Sequence, residues 1–162
     1  MLRIHLINVC RDAGLLREDL THITTDAADL KQYYSDLMRL CKENSGVGLS
    51  ANQVGLRENF FFLMPGAKIP TGRAGKYVAH ICANPAWQPA ANSKLATGQE
   101  GCLSIPGRLF EVDRQTAIQA QWDNVLGHRV QKNLKGWAAR VFQHEYDHLR
   151  GVTLLQSGKE VK

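Results

Sequence analysis

The chain has 162 residues, 44% hydrophobic and 22% charged, with a formal charge of +5 at pH 7. That length and composition suit one globular domain spanning residues 1–162 and exclude a disordered or fibrous chain. No apolar run approaches membrane-spanning length, and Met1 to Cys10 lacks the form of an export signal, so an intracellular, cytoplasmic protein with no membrane partner is expected. The basic residues are scattered rather than blocked, so direct sequence-specific nucleic-acid binding is not expected. Cys10, Cys41, Cys82 and Cys102 then read as free thiols or ligands, not as a disulfide framework.

In chain order, the first predicted element is a helix from Asp26 to Lys42, with Leu30, Tyr34, Leu37 and Cys41 at helical spacing and Thr25 or Asp26 as its cap. Ser45 to Gly55 is a glycine-rich segment that permits close backbone approach to a ligand. It lacks the Lys-Ser/Thr ending of a phosphate-binding loop, and taken alone it reads as a helix-to-strand turn. Within it Gln53 carries amide donors and an acceptor, suited to polarising a carbonyl. Phe60 to Met64 is a compact apolar strand, Pro65 to Lys76 a loop, and Tyr77 to Cys82 a strand that ends at Asn84-Pro85. Thr116 to Trp122 alternates like a half-buried strand, and a turn near Asp123, Asn124 and Gly127 folds it back onto Val130. A second helix runs from Leu134 to Arg150, with Asn133 as cap and Gly151 as a left-handed stop. The fold class is α+β: short, mostly antiparallel strands packed around that second helix.

The second helix carries the chemistry. Leu134, Trp137, Val141, His144 and His148 recur at helical spacing, so the two histidines continue an apolar stripe. Two inward imidazoles one turn apart suit a single metal ion, and Glu145 lies beside them, placed to handle a proton. The bland alternative is a pair of core histidines, each of which then needs its own hydrogen-bonding partner. A third ligand has to come from elsewhere. Position 154, where a common extension of the pattern has histidine, is Leu154, and the only downstream acid is Glu160 in a polar tail. Cys102, in the glycine-flanked stretch Gly98 to Pro106, is the best placed of the remainder. His128 is the alternative, at a hairpin turn where exposure is expected.

Three stretches together, Gly46-Val-Gly-Leu-Ser-Ala-Asn-Gln53, Glu100-Gly-Cys-Leu-Ser104 and His144-Glu-Tyr-Asp-His148, resemble peptide deformylase in content and order. The resemblance implies removal of the formyl group from the N-terminal methionine of new polypeptides, with formate released. It implies that Cys102, His144 and His148 bind one divalent metal ion per chain: ferrous iron in the cell, with zinc, nickel or cobalt as alternatives. It makes Glu145 the catalytic acid/base, with Gln53 and the backbone amide of Leu103 stabilising the oxyanion. Val47, Gly48, Trp137 and Val141 are candidates for the methionine pocket, and Glu100 and Asp147 for orienting the ligands. The expected partners are N-formyl-Met nascent peptides. Proximity to the ribosome follows too, although the residues after Gly151 are too few for the long docking helix of many bacterial members. Ser50 and Asn52 depart from the family pattern, and the proline-containing opening is only echoed by Asp12 to Arg17. The competing functions are an HExxH metallopeptidase and an inactive metal-binding homologue.

Overall fold

A computed structural model describes residues 2–4, 16–70 and 79–162. Cys10, most of the Asp12–Arg17 stretch and the later part of the Pro65–Lys76 loop lie outside the described residues. The strands are β1 (Gly48–Ser50), β2 (Phe60–Leu63), β3 (His80–Pro89), β4 (Leu95–Cys102), β5 (Ile105–Gln115), β6 (Ala117–Asp123), β7 (Arg129–Lys135) and β8 (Lys159–Glu160). They form a five-stranded sheet in the order β1-β2-β3-β6-β7 and a three-stranded sheet in the order β4-β5-β8, with every pairing antiparallel. Two helices of more than two turns stand out among the described residues: α1 (Tyr34–Glu43) and α2 (Gly136–Leu149). The architecture is α+β, as expected.

α2 packs against β1, β2, β5, β6 and β7, so elements of both sheets converge on it. β2 is buried at all four positions, which is why its run Phe60-Phe-Phe-Leu63 shows no alternation. Phe61 meets Phe142 of α2 edge to face at 4.9 Å between ring centroids, and Trp122 of β6 lies 5.8 Å from the same ring. The other end of α2 is clasped by the 16–20 segment: Leu20 N–H donates to Leu149 O, and Asp19 bridges Arg150. Gly151 ends the helix at φ 70° with the Arg17 backbone pressed against its Cα, a place no side chain can occupy.

Several expectations need correction. The first helix is a 3₁₀ run, Ala27–Tyr33, followed by α1; Asp26 caps it, accepting from Ala28 N–H at 2.9 Å. Asn84-Pro85 does not end the strand. Asn84 adopts φ 47°, the register with β6 shifts between Ala83 and Ala86, and β3 continues through this bulge to Pro89. α2 begins at Gly136, with Lys135 as the capping position and no side-chain bond, so Leu134 belongs to β7 and Asn133 caps nothing. Trp137 is 44% exposed and lies off the buried face, which is made by Ala138, Ala139, Val141, Phe142, Glu145, His148 and Leu149. Glu160 is no loose tail: it sits in β8 and takes two hydrogen bonds from Arg108, each at 2.6 Å.

Candidate metal centre

β4 and β5 form a hairpin in which Cys102 pairs with Ile105, leaving Leu103 and Ser104 at the tight turn. That turn delivers the Cys102 sulfur to α2. Sγ lies 3.3 Å from His148 Nε2, and the donor atoms of Cys102, His144 and His148 all fall within 4.8 Å of one another. The two imidazoles meet edge to face at 4.9 Å between centroids, on successive turns of one helix face. One sulfur and two ring nitrogens suit a divalent first-row cation and leave a coordination position for a reactant. His148 Nδ1 is buried with no hydrogen-bond partner among the described residues, so as a plain core histidine it would be only half satisfied. His128 is exposed, as expected, and is not one of the clustered donors.

Glu100 holds His144 by accepting at Oε2 from Nδ1, 2.9 Å away, which leaves Nε2 for the cluster. Glu100 is itself buried and gripped by two arginines: Arg114 donates to both of its oxygens at 3.0 Å, and Arg140 donates to Oε1 at 2.7 Å. Arg114 also pairs with Asp147 on α2. Arg140 lies over the bare Cα of Gly98, where a Cβ would come within 2.9 Å of its guanidinium carbon. Burial works against the charge on Glu100, but the hydrogen bonds from His144 and Arg114 hold its carboxyl down at about 2. Burial likewise opposes ionisation of Cys102, yet the neighbouring imidazoles hold the thiol well below its ordinary range.

Glu145 is 3% exposed, on the buried side of α2 facing β1. Burial pushes its carboxyl up, against the pull of both imidazoles and of the Ser50 hydroxyl. Ser50 Oγ lies 2.6 Å from Glu145 Oε2 and 2.9 Å from the Glu145 carbonyl. Gln53, in the 3₁₀ turn Ala51–Val54, accepts from Ser50 N–H at 2.9 Å and donates from Nε2 to Ser104 Oγ at 3.1 Å and Cys102 Sγ at 3.5 Å. Asn52 donates to His148 O at 2.5 Å, tying the glycine-rich segment to the helix.

Part of this constellation lines one cleft of about 640 Å³. Val47, Gly48, Gln53, Cys102, Leu103, Trp137, Val141, His144 and Glu145 all reach it, so the residues singled out in sequence converge there, with His148 just beneath. The Trp137 indole N–H donates to Gly66 O at 2.9 Å. Ser50, Ser104, Arg114 and Arg140 were not anticipated. Ser50 alone carried a signal, as a polar residue at a small apolar position.

The family description for polypeptide deformylase matches residues 5–162. Peptide deformylase of Thermotoga maritima is 32% identical over 141 residues, covering 87% of this chain and 79% of its own; that of Thermotoga neapolitana is 34% identical over 148 residues, covering 91% and 84%. The T. maritima crystal structure superposes with a TM-score of 0.77 over 97% of both chains. A probable peptide deformylase from Synechococcus phage S-SSM7, 28% identical, superposes at 0.80 over 97% of this chain and 99% of its own. This chain belongs to the polypeptide deformylase family.

Proposed function

We propose that Cys102, His144 and His148 hold one divalent cation, that Glu145 is the acid/base, and that Gln53 and the Leu103 amide receive the oxyanion. The reaction is hydrolysis of the N-formyl group of nascent peptides, which leaves formate and a free amine. What carries the residue assignments is the convergence on one site of a sulfur, two imidazoles, a buried carboxyl and the Gln53 amide, from three separate stretches of chain. Bound there, a divalent cation acts as a Lewis acid and makes water acidic enough to ionise near neutral pH.

Glu145 takes the proton from the attacking water and returns it to the departing nitrogen, so one carboxyl serves as base and then acid. Its burial suits this, because a carboxyl raised above its usual range is a better base for the water proton and can still pass that proton on to the nitrogen. Gln53 offers an N–H whose direction is set by its acceptor oxygen on Ser50 N–H. Negative charge develops on the former formyl oxygen, and this donor, held beside Cys102 and Ser104, turns from them to meet it. Val47, Gly48, Trp137 and Val141 form the wall against which the methionine side chain rests.

The whole of residues 1–162 acts as one catalytic domain. No helix among the described residues is long and apolar enough to cross a membrane. Formylated chains emerge from ribosomes, so the cytoplasm close to the ribosome is the expected place of action, with no sequence-specific contact to nucleic acid. Ferrous iron is the expected cellular ion; the thiolate ligand and such an ion are both open to oxidation. The test is formate release from formyl-Met and acetyl-Met peptides, with metal content measured after anaerobic purification. The formyl peptide is turned over far faster, and Glu145→Gln is inactive while still binding metal. Equal turnover of both peptides refutes the assignment.

A further inference from the structure

We propose that Ser50 is a positioning residue that divides the Glu145 carboxylate into an anchored oxygen, Oε2, and a working oxygen, Oε1. The proposal rests on the assignment of Glu145 as acid/base.

Ser50 is fully buried, and a buried hydroxyl is retained only where it has hydrogen-bonding partners. Its single proton is shared between two acceptors of one residue: Oγ lies 2.6 Å from Glu145 Oε2, the closer, and 2.9 Å from Glu145 O, while the oxygen faces the Gln53 backbone N–H in a capping box. The hydroxyl therefore holds the carboxyl beside the backbone of its own helix. Gly48, two residues earlier on β1, presents the same face of the strand to Glu145. A Cβ at Gly48 would meet Glu145 Oε1 first and lie 2.8 Å from Cδ, so the carboxyl group rests against a bare Cα through Oε1. β1 thus holds the group from two alternate positions, by contact at 48 and by hydrogen bond at 50. Leu49 points the other way, into the core. Among the described residues no hydrogen bond to Oε1 is seen, and Glu145 and Gly48, against which Oε1 lies, both line the cleft. With Oε2 fixed, rotation about the last side-chain bond is stopped and Oε1 is left facing the reactants. The backbone N–H of Ser50 separately orients Gln53, and that bond survives loss of the hydroxyl.

The test compares zinc-loaded wild type, Ser50→Ala and Glu145→Gln for kcat, KM and bound zinc, using a formyl-Met peptide. Ser50→Ala is expected to keep one zinc per chain and a KM within about twofold, while kcat falls about tenfold or more, since small misplacement of a reacting group slows chemistry rather than binding. A kcat within about twofold of wild type, or a rise in KM at constant kcat, overturns the proposal. Should Glu145→Gln retain wild-type kcat, the assignment of Glu145 fails and the proposal with it; an inactive Glu145→Gln beside a fully active Ser50→Ala sinks the proposal alone. A crystal structure of the zinc-loaded wild type decides independently of any variant's folding. Ser50 Oγ within about 3.0 Å of Oε2 supports the proposal, and a hydroxyl turned away from the carboxylate refutes it.

Discussion

Gly48 borders the cleft floor with nothing but hydrogen between its Cα and Glu145, and Gly48→Ala puts a methyl group into that gap. The new Cβ would sit 2.8 Å from Glu145 Cδ and 2.9 Å from Cγ. Ordinary carbon contacts lie near 3.5–4.0 Å, so the carboxyl has to retreat by about 0.7 Å or more. It cannot do so freely, because Oε2 is held by Ser50 and the residue is buried on α2. Overpacking of this kind costs about 1–3 kcal/mol of stability. The larger effect falls on the reaction, where displacement of a reacting group by about 1 Å costs on the order of 10²-fold. Steady-state formate release, with bound metal measured on the same samples, should show kcat down about 100-fold at full metal occupancy. Wild-type kcat in folded, metal-loaded Gly48→Ala would show that Glu145 works from another position. A raised KM alone would show that the glycine serves substrate entry.

Removing the amide in Gln53→Ala should lower kcat by about 10²–10³ with the fold retained, as for loss of one oxyanion donor; unchanged turnover would remove Gln53 from the oxyanion site. Arg114→Met leaves Asp147 without its cation and strips two hydrogen bonds from Glu100, so urea unfolding should show a loss of about 3 kcal/mol or more. A loss below about 1 kcal/mol would mean that Arg140 alone suffices to hold Glu100. Burial pushes the Cys41 thiol up to about 12 and that of Cys82 well above its ordinary value. Both should therefore resist iodoacetamide at pH 8 in the native protein and react after denaturation, as followed residue by residue by mass spectrometry; rapid native labelling of either would contradict the packing around them.

The histidine pair was legible because helical spacing alone puts positions 144 and 148 on one face. Cys102 was reached by elimination and by resemblance, since no local pattern says that a hairpin will carry residue 102 to residue 148. Trp137 was misplaced for a physical reason. Its spacing fits the stripe, but the helix starts only at Gly136, so residue 137 sits in the first turn with solvent on one side. Asn84-Pro85 looked like a strand end because turn residues mark both breaks and bulges, and only pairing with β6 separates the two. Arg114 and Arg140 resembled any other surface cations in sequence. Their burial depends on Glu100, 14 and 40 residues away, which no period reveals. Ser50 looked like a loop variation until β1 and α2 were seen to face each other across it.

The sulfur and the nearer imidazole nitrogen are 46 residues apart in the chain, and Gln53 lies 49 residues before the sulfur. No short fragment can therefore unite the donors, and an unfolded chain offers them only as scattered weak sites. Occupancy is then coupled to the global fold, with ion affinity adding directly to the free energy of unfolding. During denaturant titration, ion liberation captured by a colorimetric chelator should coincide with melting of α2 and report on the cooperativity of the entire molecule.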